Sequence, residues 1–483
     1  MSRKPFSKSR LAQGLATIAA VLLGLGGFFG LEHIMTEDHA DAQEIEAGLN
    51  ERNQLVSGHR APKAAALRPI EDDVPVVSIT FDDGNTSNAR AGHILQKHGL
   101  TGTFYIISAF LETPNYLSRA ELDQLVSDGN EIGGHTLHHR PLPTVDAAEA
   151  RRQVCNDRDN LLAWGYEVTS FAYPEAESNQ AIEKIVEDCG YNSARGLGGV
   201  RTKDGCENCV DSESFEPENP YRTKAPAMVT NQWSVDYLKK VVRKGVEDGG
   251  WTQLTFHDFC TDKEECNLIS WTYDDFEDVV RWLAEEEKAG KLQVRNVNEV
   301  MTGKIQDSRP STPPAQLAEG AELVHNGDFE STTQREREPF RCWEVVNFGN
   351  NTVTSNAGKV GVNGSNGMEF TVADYRSGDA KLLTKQDAGE CAPEVAPGKR
   401  YRLAADYTAD DITQFSVFLR GNHGQWVYWT SSTKFAPTDE FSRAEWITPE
   451  IPDGYDAISF GLAITGEGKL RVDNYSMQIP PEE

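Results

Sequence analysis

The chain is short of positive charge. In 483 residues, 47 Lys and Arg stand against 75 Asp and Glu, a net charge of −28 at pH 7. Such an excess repels phosphate backbones and anionic headgroups, which excludes nucleic-acid binding as a function. Residues 1–31 run the other way: they hold Arg3, Lys4, Lys8 and Arg10 and no acid, so the remainder is more negative still. The sequence has no internal repeat. With 38% hydrophobic and 25% charged residues, it also lacks the composition of a disordered or multi-span chain. The length therefore divides into globular units, roughly two to four at about 100–200 residues per domain.

One segment suits a bilayer. Basic Met1–Arg10 leads into apolar Leu11–Leu31, long enough to span ~30 Å of hydrocarbon with its basic flank on the cytoplasmic side. Two readings of it stay open. Cleavage after Ala40-Asp41-Ala42 makes residues 1–42 a signal peptide; retention makes them an N-terminal membrane anchor. Either way the body lies outside the cytoplasm, as a secreted, periplasmic or tethered protein.

Eight cysteines fit that compartment. Cys342 and Cys391 are alone in the C-terminal region and are expected to pair. Cys206 with Cys209 and Cys260 with Cys266 suit short loops, leaving Cys155 for Cys189; spacing leaves other pairings among these six open. Cys206-x-x-Cys209 has no second such pair, which favours a bridge over zinc or redox chemistry.

Residues 43–73 are polar with little periodicity and read as a spacer. Over 74–304, strand and helix patterns alternate: strands at Val74–Phe81, Gly102–Ile107, Glu131–Gly133, Thr169–Tyr173 and Thr252–Phe256 interleave with helical spacings, which predicts a parallel sheet or barrel. Ser118 and Glu121 form a capping box ahead of the helix starting at Arg119. Residues 305–320, rich in Pro, Ser and Ala, read as a linker. Over 321–480, short alternating segments separated by Gly, Asn and Asp predict an all-β sandwich.

The chemistry sits at strand ends. Asp82-Asp83-Gly84 follows the first strand, at the carboxyl end where barrel enzymes build their sites. Neighbouring side chains there diverge, so one carboxylate is free to bind a cation while the other takes a proton. His135 and His139 are four apart, and a single helical turn would put both imidazoles on one face for metal ligation. His138 lies off that face and is read as structural. His257 ends the strand Thr252–Phe256. An Asp with two His is a hydrolytic ligand set, and His257 is the natural proton donor to a leaving group.

Thr80-Phe81-Asp82-Asp83-Gly84, His135-Thr136-x-x-His139, Phe171-Ala172-Tyr173-Pro174 and Leu254-Thr255-Phe256-His257 follow the order seen in polysaccharide deacetylases, the family 4 carbohydrate esterases, which residues Val74–Gly303 resemble. The resemblance implies a distorted (β/α) barrel and a zinc-type divalent ion on Asp83, His135 and His139. It implies Asp82 as general base, His257 as general acid and removal of N-acetyl groups from a chitin-, peptidoglycan- or poly-GlcNAc-like polysaccharide. An O-acetyl xylan esterase using the same site is the neighbouring reading.

The third motif departs from the family. Many members have arginine where this chain has Ala172, tethering the base, and Tyr-Gly where it has Glu175-Ala176. The backbone N–H of Glu175 still suits an oxyanion, and Arg222 is a candidate replacement tether. These departures also motivate a rival, a glycan-binding protein on a disabled barrel. No tryptophan-bearing fourth motif is recognisable, so no partner for His257 is identified. A Cys260–Cys266 pair would clip the loop after His257.

Val324–Glu330 and Val472–Met477 resemble the two ends of jelly-roll carbohydrate-binding modules. The resemblance implies a structural calcium on Glu330 and Asp473. Trp343, Trp426, Tyr428 and Trp429 are candidates for stacking on pyranose faces, each equally readable as a core aromatic.

Overall fold

A computed structural model describes residues 60–309 and 321–480. The signal or anchor segment and most of the linker lie outside the described residues. Among the described residues, no helix is long and apolar enough to cross a membrane.

Six strands form a parallel sheet: β1 (Val76–Phe81), β2 (Thr103–Ile106), β3 (Glu131–Gly134), β4 (Ser170–Ala172), β5 (Ser193–Arg195) and β6 (Trp251–Phe256), in the order β5-β4-β3-β2-β1-β6. Every residue of β1 is buried, as expected of a strand covered on both faces. Along one edge β1 pairs with β6 over its whole length; Val76 and Val77 also pair with a short late strand at Gln293–Val294, and Thr80 and Phe81 with β2.

No ladder joins β5 to β6. Residues 223–229 span that opening: Thr223 N–H donates to Ala194 (2.8 Å), Gln253 Nε2 to Thr223 Oγ1 (3.0 Å) and Val229 N–H to Thr255 (2.9 Å). The result is a distorted (β/α) barrel with helices outside it, among them α1 (Ser87–Lys97), α2 (Arg119–Ser127), α3 (Ala147–Ala163) and α4 (Gln180–Asp188). The predicted capping box is present, with Ser118 accepting from the Glu121 N–H and Glu121 reaching back to the Ser118 N–H.

Two expectations change here. Residues 60–73 are no free spacer: Ala61 and Ala64 pack on the barrel core, and Arg68 binds Glu299 through its N–H, Nε and Nη2, each at 2.8 Å. Strand β5 has no counterpart in the predicted elements, because Ser-Ala-Arg offers neither length nor an apolar run.

Residues 321–480 form two five-stranded antiparallel sheets closing over a second core that includes Phe329, Trp343, Phe370, Phe415 and Phe460. The cysteines pair as Cys155–Cys189, Cys206–Cys209, Cys260–Cys266 and Cys342–Cys391, the pairing preferred on spacing.

At the amino-terminal end of β3, Glu131 is 4% exposed and accepts from Thr103 Oγ1 (2.8 Å), Ser170 Oγ (2.6 Å) and Asn298 N–H (2.9 Å). Burial outweighs these bonds and pushes its carboxyl from 4.5 up to about 7. The native state thus keeps a proton that the unfolded chain gives up above its lower value. The stability this group contributes is complete below the unfolded value and is lost as pH rises through about 7. Urea titrations at pH 5 and pH 8 should show wild type losing about 2–3 kcal/mol more than Glu131→Gln; parallel losses would refute the assignment.

Candidate active site

β1 delivers Asp82 and Asp83 to the carboxyl-terminal face of the sheet. Asp82 stays in the ladder, its N–H donating to Phe256 at 2.9 Å. Asp83 turns into the left-handed region at φ +74, which sends the two carboxylates to different partners.

Asp83 Oδ1 lies 3.4 Å from His135 Nε2 and 3.3 Å from His139 Nε2, and this oxygen is buried with no hydrogen-bond partner. Tetrahedral ligands at about 2.1 Å from a metal stand about 3.4 Å apart, so these two separations suit a trio that could hold a metal ion. His135 Nδ1 is 2.7 Å from the Ala172 carbonyl. A carbonyl only accepts, so Nδ1 carries the proton and the Nε2 lone pair faces Asp83. Desolvation pushes His139 down to about 4 against the pull of Asp83, leaving it neutral at pH 7 with a lone pair to give. Desolvation alone would raise Asp83; its closeness to the His135 ring, and then to those of His139 and His257, outweighs that and holds the carboxyl well below its usual range.

The histidines meet without the predicted helical turn. Residues 135–140 are irregular, with Thr136 at φ +68 and His139 at φ +53, and the imidazole centroids are 5.0 Å apart. Beneath the loop, Asp157 on α3 accepts from Ser108 N–H (3.0 Å) and His135 N–H (3.1 Å).

Asp82 is 3% exposed, and Arg195 Nη2 donates to both of its oxygens at 2.6 Å. Burial raises the Asp82 carboxyl; Arg195, then His135 and His257, overcome that and hold it below its ordinary value. Arg195 is anchored by Thr255 Oγ1 at 2.9 Å. In the β4–β5 ladder, Arg195 is the register partner of Ala172. The arginine absent from the third motif therefore stands one strand over, at the same level. Arg222, the candidate tether, instead reaches toward Glu183 at 3.9 Å. No local pattern in the sequence marks Arg195, which lies in a three-residue strand.

His257 Nε2 lies 3.8 Å from Asp82 Oδ2, and its Nδ1 is buried without a partner. Its backbone is held from α1, where Asn88 Nδ2 donates to the His257 carbonyl at 2.7 Å. Glu175 occupies the exposed turn that follows the carboxyl end of β4, at φ +55.

The sandwich sites need correcting. Trp343 is fully buried, donating to the His325 and Asn326 carbonyls, so it is a core residue and no platform. Trp429 packs against the same core, whereas Trp426 and Tyr428 are half-buried on the opposite face, next to Arg420 and Phe418. Glu330 and Asp473, the expected calcium ligands, take different hydrogen-bond partners. Asp473 is buried, and its oxygens accept from Val362 N–H, Ser365 Oγ and Asn474 N–H, while exposed Glu330 faces Asn366. Among the described residues no metal-capable cluster includes either.

An Asp-His-His trio beside an arginine-held carboxylate and a third histidine is the constellation of a hydrolytic metal site. Residues 70–194 match the family described as polysaccharide deacetylase. A peptidoglycan-N-acetylglucosamine deacetylase of Bacillus cereus is 24% identical over 126 residues, covering 26% of this chain and 57% of that one. A chitooligosaccharide deacetylase of Sinorhizobium fredii is 30% identical over 82 residues, covering 17% and 36%. The match thus spans less than two-thirds of either relative. Among solved structures, the CE4 domain of a multidomain xylanase from a Trinervitermes trinervoides hindgut metagenome is 18% identical with TM-score 0.31, over 47% of this chain and 89% of that one.

Removing Arg195 leaves Asp82 buried without its partner, at a cost of about 3–5 kcal/mol near pH 7. In wild type the Asp82 contribution is present above the ordinary carboxylate value and is lost as pH falls through the lowered one. Arg195→Ala should invert that sign, so stability falls as pH rises between about 4 and 7. Adding Asp82→Asn should recover most of the loss in denaturant titrations. An Arg195→Ala variant as stable as wild type at pH 7 would refute this account.

Proposed function

We propose that this chain is a divalent-metal-dependent hydrolase, acting outside the cytoplasm, that removes N-acetyl groups from a GlcNAc-containing polysaccharide. One observation carries the reading: Asp83, His135 and His139 converge as ligands beside an ionised Asp82, with His257 facing that carboxylate from the next strand. The names of the matched relatives, which are deacetylases of peptidoglycan and chitooligosaccharide, support the substrate class. Four disulfides among the described residues support an oxidising compartment.

Asp82 accepts the proton of the attacking water. Arg195 keeps that carboxylate ionised and aimed, yet also makes it a weak base. Asp83, His135 and His139 would hold a divalent ion, which when bound would supply the missing drive by polarising the acetyl carbonyl and lowering the pKa of water. Water oxygen bonds to the acetyl carbon, and the backbone N–H of Glu175, in the turn after β4, is assigned to the developing negative charge. His257 gives a proton to the sugar nitrogen as the carbon–nitrogen bond breaks, releasing acetate and a free amine. On the sandwich, Trp426 and Tyr428 supply a face for a sugar ring.

Acetate release from peptidoglycan or chitin oligomers should vanish with a chelator or with Asp83→Ala, and added Zn²⁺ should restore the chelated wild type but not the variant. Asp82→Asn and His257→Ala should each lower kcat by about 10²–10⁴. Release from acetylxylan alone would replace the N-acetyl reading with the O-acetyl one; release untouched by both treatments would end the metal-dependent reading.

A further inference from the structure

The sandwich sits directly on the loop that bears the histidine ligands. His138 is 7% exposed, and its Nε2 is 2.6 Å from the Gly424 carbonyl in the turn between two sandwich strands. Because a carbonyl only accepts, Nε2–H is the donor and Nδ1 accepts from Gln153 Nε2 at 2.9 Å. Gln153 Oε1 in turn takes the His138 N–H at 2.9 Å. Its Nε2 also donates to Glu149 at 2.8 Å, and Glu149 receives the sandwich's Ala388 N–H at 2.8 Å.

On the other side of His139, Arg140 pairs with Glu344 of the sandwich at 2.9 Å and donates to the Gln386 carbonyl at 2.7 Å. Leu137 packs with Ala109 and Ala388. Gly424, at φ +86, leaves no room for a side chain: an added Cβ would meet Leu137 Cδ2 at 2.7 Å.

The sandwich side of this contact is braced. Asp387 accepts the N–H groups of Gly389, Cys391 and Ala392, Arg420 donates to the Asp387 carbonyl at 2.9 Å, and the Cys342–Cys391 disulfide ties the same loop to the strand bearing Glu344. His139 lies between two residues fixed to this surface and holds a left-handed backbone at φ +53. A non-glycine residue persists there only where its surroundings over-determine it.

We propose that the C-terminal sandwich is a positioning element of the metal site. Gly424, Gln386 and Glu344 grip His138 and Arg140, and so hold His139 in its ligating conformation and set the affinity for the ion. This rests on reading Asp83, His135 and His139 as the ligands. His138 and Arg140 touch neither substrate nor ion; they act through His139.

The test measures Zn²⁺ affinity of the full chain by competition with a chromophoric chelator, and the visible absorption of the Co²⁺ form. Glu344→Ala and His138→Ala should each weaken Zn²⁺ binding about 10–100-fold and change the Co²⁺ spectrum, while Glu344→Gln, which keeps an acceptor for Arg140, should recover most of the affinity. Glu344→Ala acts from the sandwich side and decides the matter if His138→Ala fails to fold. Affinity within about twofold of wild type in folded Glu344→Ala overturns the grip alone. A wild type that binds no Zn²⁺ overturns it together with the metal-dependent hydrolase reading.

Discussion

The buried pair of Arg195 and Asp82 governs the rest of the site. Two ions at 2% and 4% side-chain exposure cost several kcal/mol each to desolvate, and only a close pair with further anchoring offsets that. Thr255 supplies the anchor, so β5 and β6, which share no ladder, are joined through a side chain across the open edge of the barrel. Closure of the barrel and ionisation of Asp82 are therefore one problem with one solution. Asp83 inherits the benefit: with Asp82 neutralised by arginine, the second carboxylate is free to serve the histidines.

Much of this was legible in the sequence, for physical reasons. Long buried strands such as β1 and long helices such as α3 announce themselves through apolar runs and 3.6-residue spacing. Asp82, Asp83, His135, His139 and His257 are rare residue types at strand ends and stand out for the same reason. Arg195 did not, because a three-residue strand has no periodicity and a pairing across strands leaves no local trace. The turn predicted at His135–His139 failed because left-handed backbone at Thr136 and His139 is set by what surrounds the loop. Trp343 was ambiguous in principle: an aromatic that fills a sandwich core and one that stacks on sugar are the same residue until burial is known.

Charge takes on a more local meaning. The net excess of acid repels polyanions, yet the centre of the molecule depends on a few arginines, each matched to a specific carboxylate or carbonyl. Arg195, Arg140 and Arg420 all use the planar fork that lysine lacks, and together they tie Asp82, the loop of residues 135–140 and the sandwich into one assembly.

The apolar contact of Ala109, Leu137 and Ala388, with Phe110 at its edge, bears on how this chain is handled. The proline-containing stretch before the sandwich invites a cut that isolates the barrel. Such a fragment would bare Leu137 and strip His138 of its acceptor in the same stroke, exchanging a covered surface for a sticky one next to His135 and His139. The boundary that is easiest to see along the chain is thus a poor place to divide the molecule.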